Sequence, residues 1–141
     1  MVREEEIRAA ARRLVAQVLG VDDGDLAELV EEDVVDHNPV WGTHDFVSVV
    51  ASYEELRRAL PDLRFEIERE NMVAEGNQVA AHSLVTGTHT GSELFGVAAS
   101  GNKLTWTHSD FVRIAGGRIV ERWVSADMLT LFQQVGLLPT G

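Results

Sequence analysis

Asp127 stands where a strand hands over to a helix, four residues after Trp123. A carboxylate beside an apolar ring can have its pKa drawn toward use as a general base. His108 is the natural companion, since an imidazole can donate a hydrogen bond to a developing oxyanion. Asn38, directly before Pro39, can orient a substrate carbonyl. The same three residues also have plainer roles. Asp127 can cap the helix that follows it, His108 can bond a backbone carbonyl, and Asn38 can open an Asx-type turn. Residue types alone leave both readings open.

Around these lie candidates for substrate binding: His37 next to Asn38, His82 in the middle of a strand, and the three tryptophans Trp41, Trp106 and Trp123. Tryptophans can line an aromatic cavity or simply fill a core. The five histidines do not make a metal motif. His37 and His44 are seven apart, as are His82 and His89, with no HExxH pattern and no cysteine to supply thiolate. No metal site is expected. Gly87-Thr88-His89-Thr90-Gly91 lacks the lysine and the following helix of a phosphate loop. No GxSxG nucleophile elbow is present.

The elements that must hold these residues follow from hydrophobic period. Ile7, Ala11, Leu14 and Val18 mark one helical face, with Gly20 as its stop. Leu26, Leu29 and Val30 suggest a second, short helix. Val34 to Asn38 reads as extended chain, since Pro39 pushes Asn38 out of helical geometry. Thr43 or Asp45 caps the next helix, whose apolar face is Phe46, Val49, Val50, Tyr53, Leu56 and Leu60, and Pro61 ends it. The period then becomes two. Strands are expected around Leu63, Phe65 and Ile67, over Gln78 to Thr90, over Lys103 to Ile114 and over Arg118 to Ala126. Met128 to Val135 closes the chain as a helix before Gly136.

Helices first and a strand meander after them give an α+β fold over one domain, residues 1–141. N-terminal helices pack on a strongly curved antiparallel β-sheet, which forms a cone with an internal pocket; Gly87, Gly91 and Gly101 supply the bends. Parity without a bulge puts Ile119, Glu121, Trp123, Ser125 and Asp127 on one face of the last strand. On the strand before it, Leu104, Trp106, His108, Asp110 and Val112 share a face. A hairpin about Gly116-Gly117 then makes His108 and Asp127 diagonal neighbours.

The formal net charge of −11 repels phosphate backbones, so nucleic acid is not an expected partner. No apolar run reads as a signal peptide or a membrane span, and the absence of cysteine fits a reducing compartment. A cytoplasmic location is expected. An exposed sheet face makes a homodimer the expected assembly.

Several motifs, in order, resemble the SnoaL-like polyketide cyclases. They are Asp36-His37-Asn38-Pro39, Leu60-Pro61-Asp62-Leu63, Thr86-Gly87-Thr88-His89-Thr90-Gly91 and Gly117-Arg118-Ile119-Val120-Glu121-Arg122-Trp123, with Asp127 four residues on and Gln134-Val135-Gly136 after it. The resemblance runs from about Val34 to Leu138. It implies the α+β cone shared with nuclear transport factor, ketosteroid isomerase and scytalone dehydratase. It also implies ring closure of a hydrophobic polyketide-like substrate by intramolecular aldol condensation, without metal or organic cofactor. In that family an aspartate after the G-x-I-x-E-x-W motif is the acid/base, which maps onto Asp127. A polar pocket residue maps onto Asn38, and a histidine of the penultimate strand onto His108. The segment Glu93 to Gly101 departs from the family's G-x-P-x-T-G-K version by being more apolar. Related cone proteins include pericyclic cyclases, epoxide-opening enzymes, dehydratases, isomerases and modules that only bind, so these stand as alternatives.

Overall fold

The structure, a computed structural model, describes residues 30–38, 42, 44–66 and 71–140. The helices expected over Ile7 to Val18 and at Leu26 and Leu29, together with Trp41, lie outside the described residues. The chain forms β1 (Val30–His37), α1 (Phe46–Ala59), β2 (Arg64–Glu66), β3 (Met72–Glu75), β4 (Gln78–Thr88), β5 (Lys103–Ala115), β6 (Arg118–Ala126) and α2 (Met128–Val135). One curved, unclosed sheet runs β1-β6-β5-β4-β2, with β3 also on β4.

Two differences from expectation concern β1. Val30, expected in a helix, begins this strand. The β1–β6 pair is parallel, so the sheet is mixed rather than wholly antiparallel. The β-branched valines at 30, 34 and 35 favour the extended state over one turn of helix. Periodicity within one strand says nothing about the direction of its neighbour.

Local chemistry accounts for most boundaries. Asp45 caps α1: its carboxylate accepts from the Ser48 amide at 2.8 Å, while Ser48 Oγ accepts from the Asp45 amide at 3.0 Å. Leu60 closes the helix and Pro61 prevents its continuation. Asp62 then fastens the chain to β4, accepting from the Thr88 amide at 2.6 Å and the Thr88 hydroxyl at 2.7 Å. Gly91 passes so close to the end of α1 that a Cβ there would lie 1.8 Å from the Arg58 carbonyl oxygen. Only glycine fits that approach. At the β5–β6 hairpin, Gly116 and Gly117 both have positive φ, 60° and 79°, the combination that a tight turn matched to strand twist demands.

The hairpin does not continue in simple register. Ile114 pairs with Ile119, but Arg113 pairs with Glu121, so Val120 is an extra residue. This bulge reverses parity for the rest of β6. Beyond it, Arg122 and Val124 turn into the concave face with His108 and Asp110, and Trp123 turns out with Phe111.

Two apolar clusters fill the concave side. One gathers Val30, Val34, Val49, Tyr53, Met72, Val79, Ala81, Val112, Ile114 and Ile119. The other gathers Leu56, Leu60, Val85, Leu94, Leu104, Trp106, Met128, Leu131 and Val135 with neighbouring alanine. Fully burying each such aliphatic or aromatic side chain contributes about 1.5–3 kcal/mol, which sets the scale for what holds α1 and α2 on the sheet. Between the clusters the inward positions become polar: Ser83 on β4, His108 and Asp110 on β5, Arg122 on β6 and Asp36 on β1, all buried. This belt is where the site lies.

Candidate active site

Asn38 and Asp36 are inward positions of the β1 segment, whereas His37 between them points outward, as a period of two requires. Asn38, Trp106 and His108 converge on a narrow pocket closed by Ser52, Tyr53 and Leu56 of α1 and by Phe65 of β2. The cavity itself is small, about 20 Å³, and opens to solvent. The Phe65 ring stands edge-on to His108, 5.6 Å between centroids, and edge-on to Tyr53 at 6.3 Å. The walls thus mix the apolar Leu56, Phe65 and Trp106 with an amide, an imidazole, a phenol and the Ser52 hydroxyl, which donates to the Val49 carbonyl at 2.8 Å.

A chain of buried charges backs the pocket. His108 Nε2 lies 3.1 Å from Asp110 Oδ2, at ion-pair distance without hydrogen-bond alignment. Asp110 Oδ1 accepts from Arg122 Nε at 2.9 Å, and Arg122 Nη2 donates to the Tyr53 hydroxyl at 2.7 Å. Asp36 Oδ1 is 3.7 Å from the same guanidinium. Burial alone would raise the Asp110 pKa. The His108 imidazole and the Arg122 guanidinium beside it outweigh burial and hold the carboxyl down at about 2. Burial likewise works against the charge on Arg122, yet its anionic partners keep it protonated beyond the ordinary arginine range. The Tyr53 phenol is pushed up, chiefly by burial and then by the two aspartates, despite the guanidinium beside it. The resulting site holds a carboxylate that favours its ionised form behind an imidazole, with that imidazole at the pocket wall. Such a pair can take and return a proton while its orientation is fixed.

The pairing of Asp127 with His108 is corrected. The Val120 bulge makes Ala126 the register partner of His108, and Asp127 leaves the sheet as the N-cap of α2. Its side chain is exposed and occupied: Oδ2 accepts from the Thr130 hydroxyl at 2.6 Å and Oδ1 from the Thr130 amide at 3.2 Å. The Thr130 hydroxyl and then its amide hold the Asp127 pKa below the ordinary aspartate value, which makes it a weaker base. Asp127→Asn is therefore expected to lower the melting temperature modestly. It should leave turnover within about an order of magnitude of wild type, far short of the roughly 10²–10⁴-fold that loss of a general base removes. Thermal melts beside steady-state kinetics check both parts.

Three of the proposed substrate-binding residues also face away from the pocket. His82 lies on the convex face, where Nδ1 pairs with Ser109 Oγ at 2.8 Å. His37 stacks on Trp123, centroids 5.1 Å apart, and its Nε2 pairs with Glu121 Oε2 at 2.9 Å. Trp123 further meets Phe111 edge-on at 5.5 Å and the Arg113 guanidinium at 5.6 Å. The reason is again parity: His82 and His37 sit at odd steps from the inward residues, and the bulge turns Trp123 outward. Trp106 alone among the tryptophans considered lies in the described pocket wall.

Asp110, Arg122 and Tyr53 were not singled out from residue types. Asp110 carried a signal, being two residues from His108 on one strand face. Tyr53 is the chain's sole tyrosine and falls on the apolar face of α1. Arg122 carried none, because its inward direction depends on the bulge. Among the described residues, no group of three or more His, Cys, Asp or Glu is placed to hold a metal ion, and no helix is long and apolar enough to cross a membrane.

Comparison with known proteins bears on the family and the fold. The sequence pattern of the family described as SnoaL-like polyketide cyclase matches residues 9–135. No curated protein matches the chain. Among solved structures, AclR from Streptomyces galilaeus, described as a candidate hydroxylase, is 26% identical with a TM-score of 0.84, covering 99% of this chain and 86% of its own. IdmH from Streptomyces antibioticus, described as a candidate polyketide cyclase, is 26% identical at a TM-score of 0.79, with 92% and 98% covered. A candidate polyketide cyclase from Bacillus cereus is 27% identical at a TM-score of 0.78, with 94% and 82% covered.

Proposed function

We propose, given that the chain belongs to the SnoaL-like polyketide cyclase family, that it closes a ring of a small hydrophobic polyketide by cofactor-independent intramolecular aldol condensation, with His108 as the acid/base. The observation that carries this reading is the convergence of His108, Asn38 and Trp106 on one pocket with Asp110 behind the imidazole. His108 takes a proton from the carbon between two carbonyls, and the C–H electron pair becomes the enolate. The Asn38 amide donates to the enolate oxygen. The enolate carbon attacks a second carbonyl of the same chain, and the new alkoxide takes the proton back from His108. The apolar walls hold the chain folded, and orientation of this kind can supply up to about 7–11 kcal/mol of the barrier. Asp127, by its position, is the cap of α2 rather than the base.

The test is incubation with linear poly-β-carbonyl thioesters, followed by chromatography and mass analysis. A cyclised isomer should appear with the wild type and not with His108→Gln. Closure by pocket shape alone predicts the reverse pattern, in which Leu56→Trp in the pocket wall stops the reaction and His108→Gln spares it. That pattern would replace aldol chemistry with a pericyclic or related reading.

A homodimer belongs to the same proposal. The convex face exposes Val35, Val73, Leu84 and Phe111, which favours a second copy as its cover. Sedimentation should give twice the chain mass for the wild type and a shift to monomer for Phe111→Lys. An unchanged mass for that variant would move the contact elsewhere.

A further inference from the structure

We infer that Tyr53 is a second catalytic hydrogen-bond donor in the pocket, aimed at the oxygen that becomes negative, with Arg122 as the residue that positions it. This rests on the proposed enolate chemistry and adds to it a group that residue patterns did not mark.

The argument begins with which hydrogen bonds the phenol can make. Tyr53 Oη accepts from Arg122 Nη2 at 2.7 Å, and an arginine has only donors, so the phenol's own proton is not used in that bond. Among the described residues that proton has no acceptor. The side chain is 7% exposed and lines the same pocket as His108 and Asn38. A buried hydroxyl without an acceptor is costly, and the cost is relieved by an occupant that supplies an oxygen. The guanidinium draws electron density from the phenol oxygen. It also keeps the ring in place, lying 5.5 Å from its centroid. Asp110 and Asp36 in turn hold the guanidinium. Hydrogen bonds in such a chain polarise one another, so each strengthens the next.

The phenol stays protonated throughout, because burial and the two aspartates push its ionisation well above the usual tyrosine range. Its contribution is therefore a hydrogen bond, not a proton transfer, and no atom balance changes. Phe65, edge-on to both rings, separates Tyr53 from His108. Donor and base thus act on different atoms of the occupant: Tyr53 on the carbonyl oxygen, His108 on the adjacent carbon. The arrangement selects ligands whose acidic carbon and carbonyl oxygen are held in one plane, as in a β-dicarbonyl or a phenol-like ring.

The chain's single tyrosine makes the test direct. Uniform incorporation of 3-fluorotyrosine labels Tyr53 alone, and the probe is 2-naphthol, whose ionised form mimics a flat enolate. Binding of naphtholate should shift the fluorine resonance, and Tyr53→Phe should weaken its binding at least tenfold. The same variant should lower kcat for ring closure by about 10²–10³ with KM little changed. Arg122→Met should weaken naphtholate binding too, while circular dichroism reports whether either variant keeps its fold. An unmoved fluorine resonance at saturating naphtholate overturns the proposal, as does equal affinity of a folded Tyr53→Phe variant. If polyketide cyclisation itself fails, the naphtholate arm still decides whether Tyr53 is an oxyanion donor.

Discussion

Replacing His108 by glutamine is expected to lower ring-closing turnover by roughly 10²–10⁴-fold, the range that a positioned general acid or base supplies. Glutamine keeps length and polarity but cannot carry a proton between two atoms. The loss should fall on kcat more than on KM, because Trp106, Phe65 and Leu56 still form the walls that hold the substrate. The fold should survive with some loss of stability, since the ring's approach to Asp110, at 3.1 Å, is removed while the Ser83 hydroxyl still bonds the backbone carbonyl at position 108, at 3.1 Å. Kinetics at saturating substrate, beside a thermal melt, measure both parts. Equal loss from Asp127→Asn would return the acid/base role to the α2 cap and remove it from the pocket.

That contrast turns on one inserted residue. Strand faces along β5 are legible from alternation alone: Leu104, Trp106, His108, Asp110 and Val112 all turn inward as their spacing requires. The Asp45 cap, the stop at Pro61 and the Gly116-Gly117 turn are likewise written in local chemistry. The α+β cone follows from these pieces and is shared with the solved relatives. The face of β6 is a different matter. Val120 is a β-branched residue with no glycine or proline to mark a bulge, so nothing local announces the slip between Arg113 and Ile114. One unmarked insertion exchanges every later side chain between faces. It carries Trp123 out to His37 and Phe111, and brings Arg122 in to Asp110 and Tyr53. The parallel partner of β1 is equally invisible, being a contact between chain segments more than eighty residues apart. What alternation conveys is the set of residues sharing a face within a strand. What it omits is the register between strands, and the polar belt is built from register.

Asp110→Asn is expected to destabilise the protein by about 3–5 kcal/mol, the usual cost of leaving one member of a buried ion pair without its partner. The amide matches the carboxylate in shape, so packing is preserved and the loss is electrostatic. Among the described residues, Arg122 would keep Asp36, at 3.7 Å, and the Tyr53 hydroxyl. Denaturant titration should show a lower midpoint at an unchanged slope. The pH dependence has a definite sign. Asp110 ionises at about 2 in the folded chain against an ordinary value of 3.8, so its stabilisation is complete above the unfolded value and is lost as pH falls through about 2. The gap between wild type and variant should therefore be constant near neutrality and narrow between those two values. Arg122→Met alone removes the guanidinium from both Asp110 and Asp36 and should be as damaging. The double variant Asp110→Asn/Arg122→Met should be less damaged than the sum, because each change removes the charge the other leaves exposed. An additive double variant would mean that the two groups do not act as a pair. If the double variant is nearly as stable as wild type but no longer turns over, the belt is held in the core for the proton chemistry at His108 and the donor at Tyr53, since apolar residues would serve stability as well.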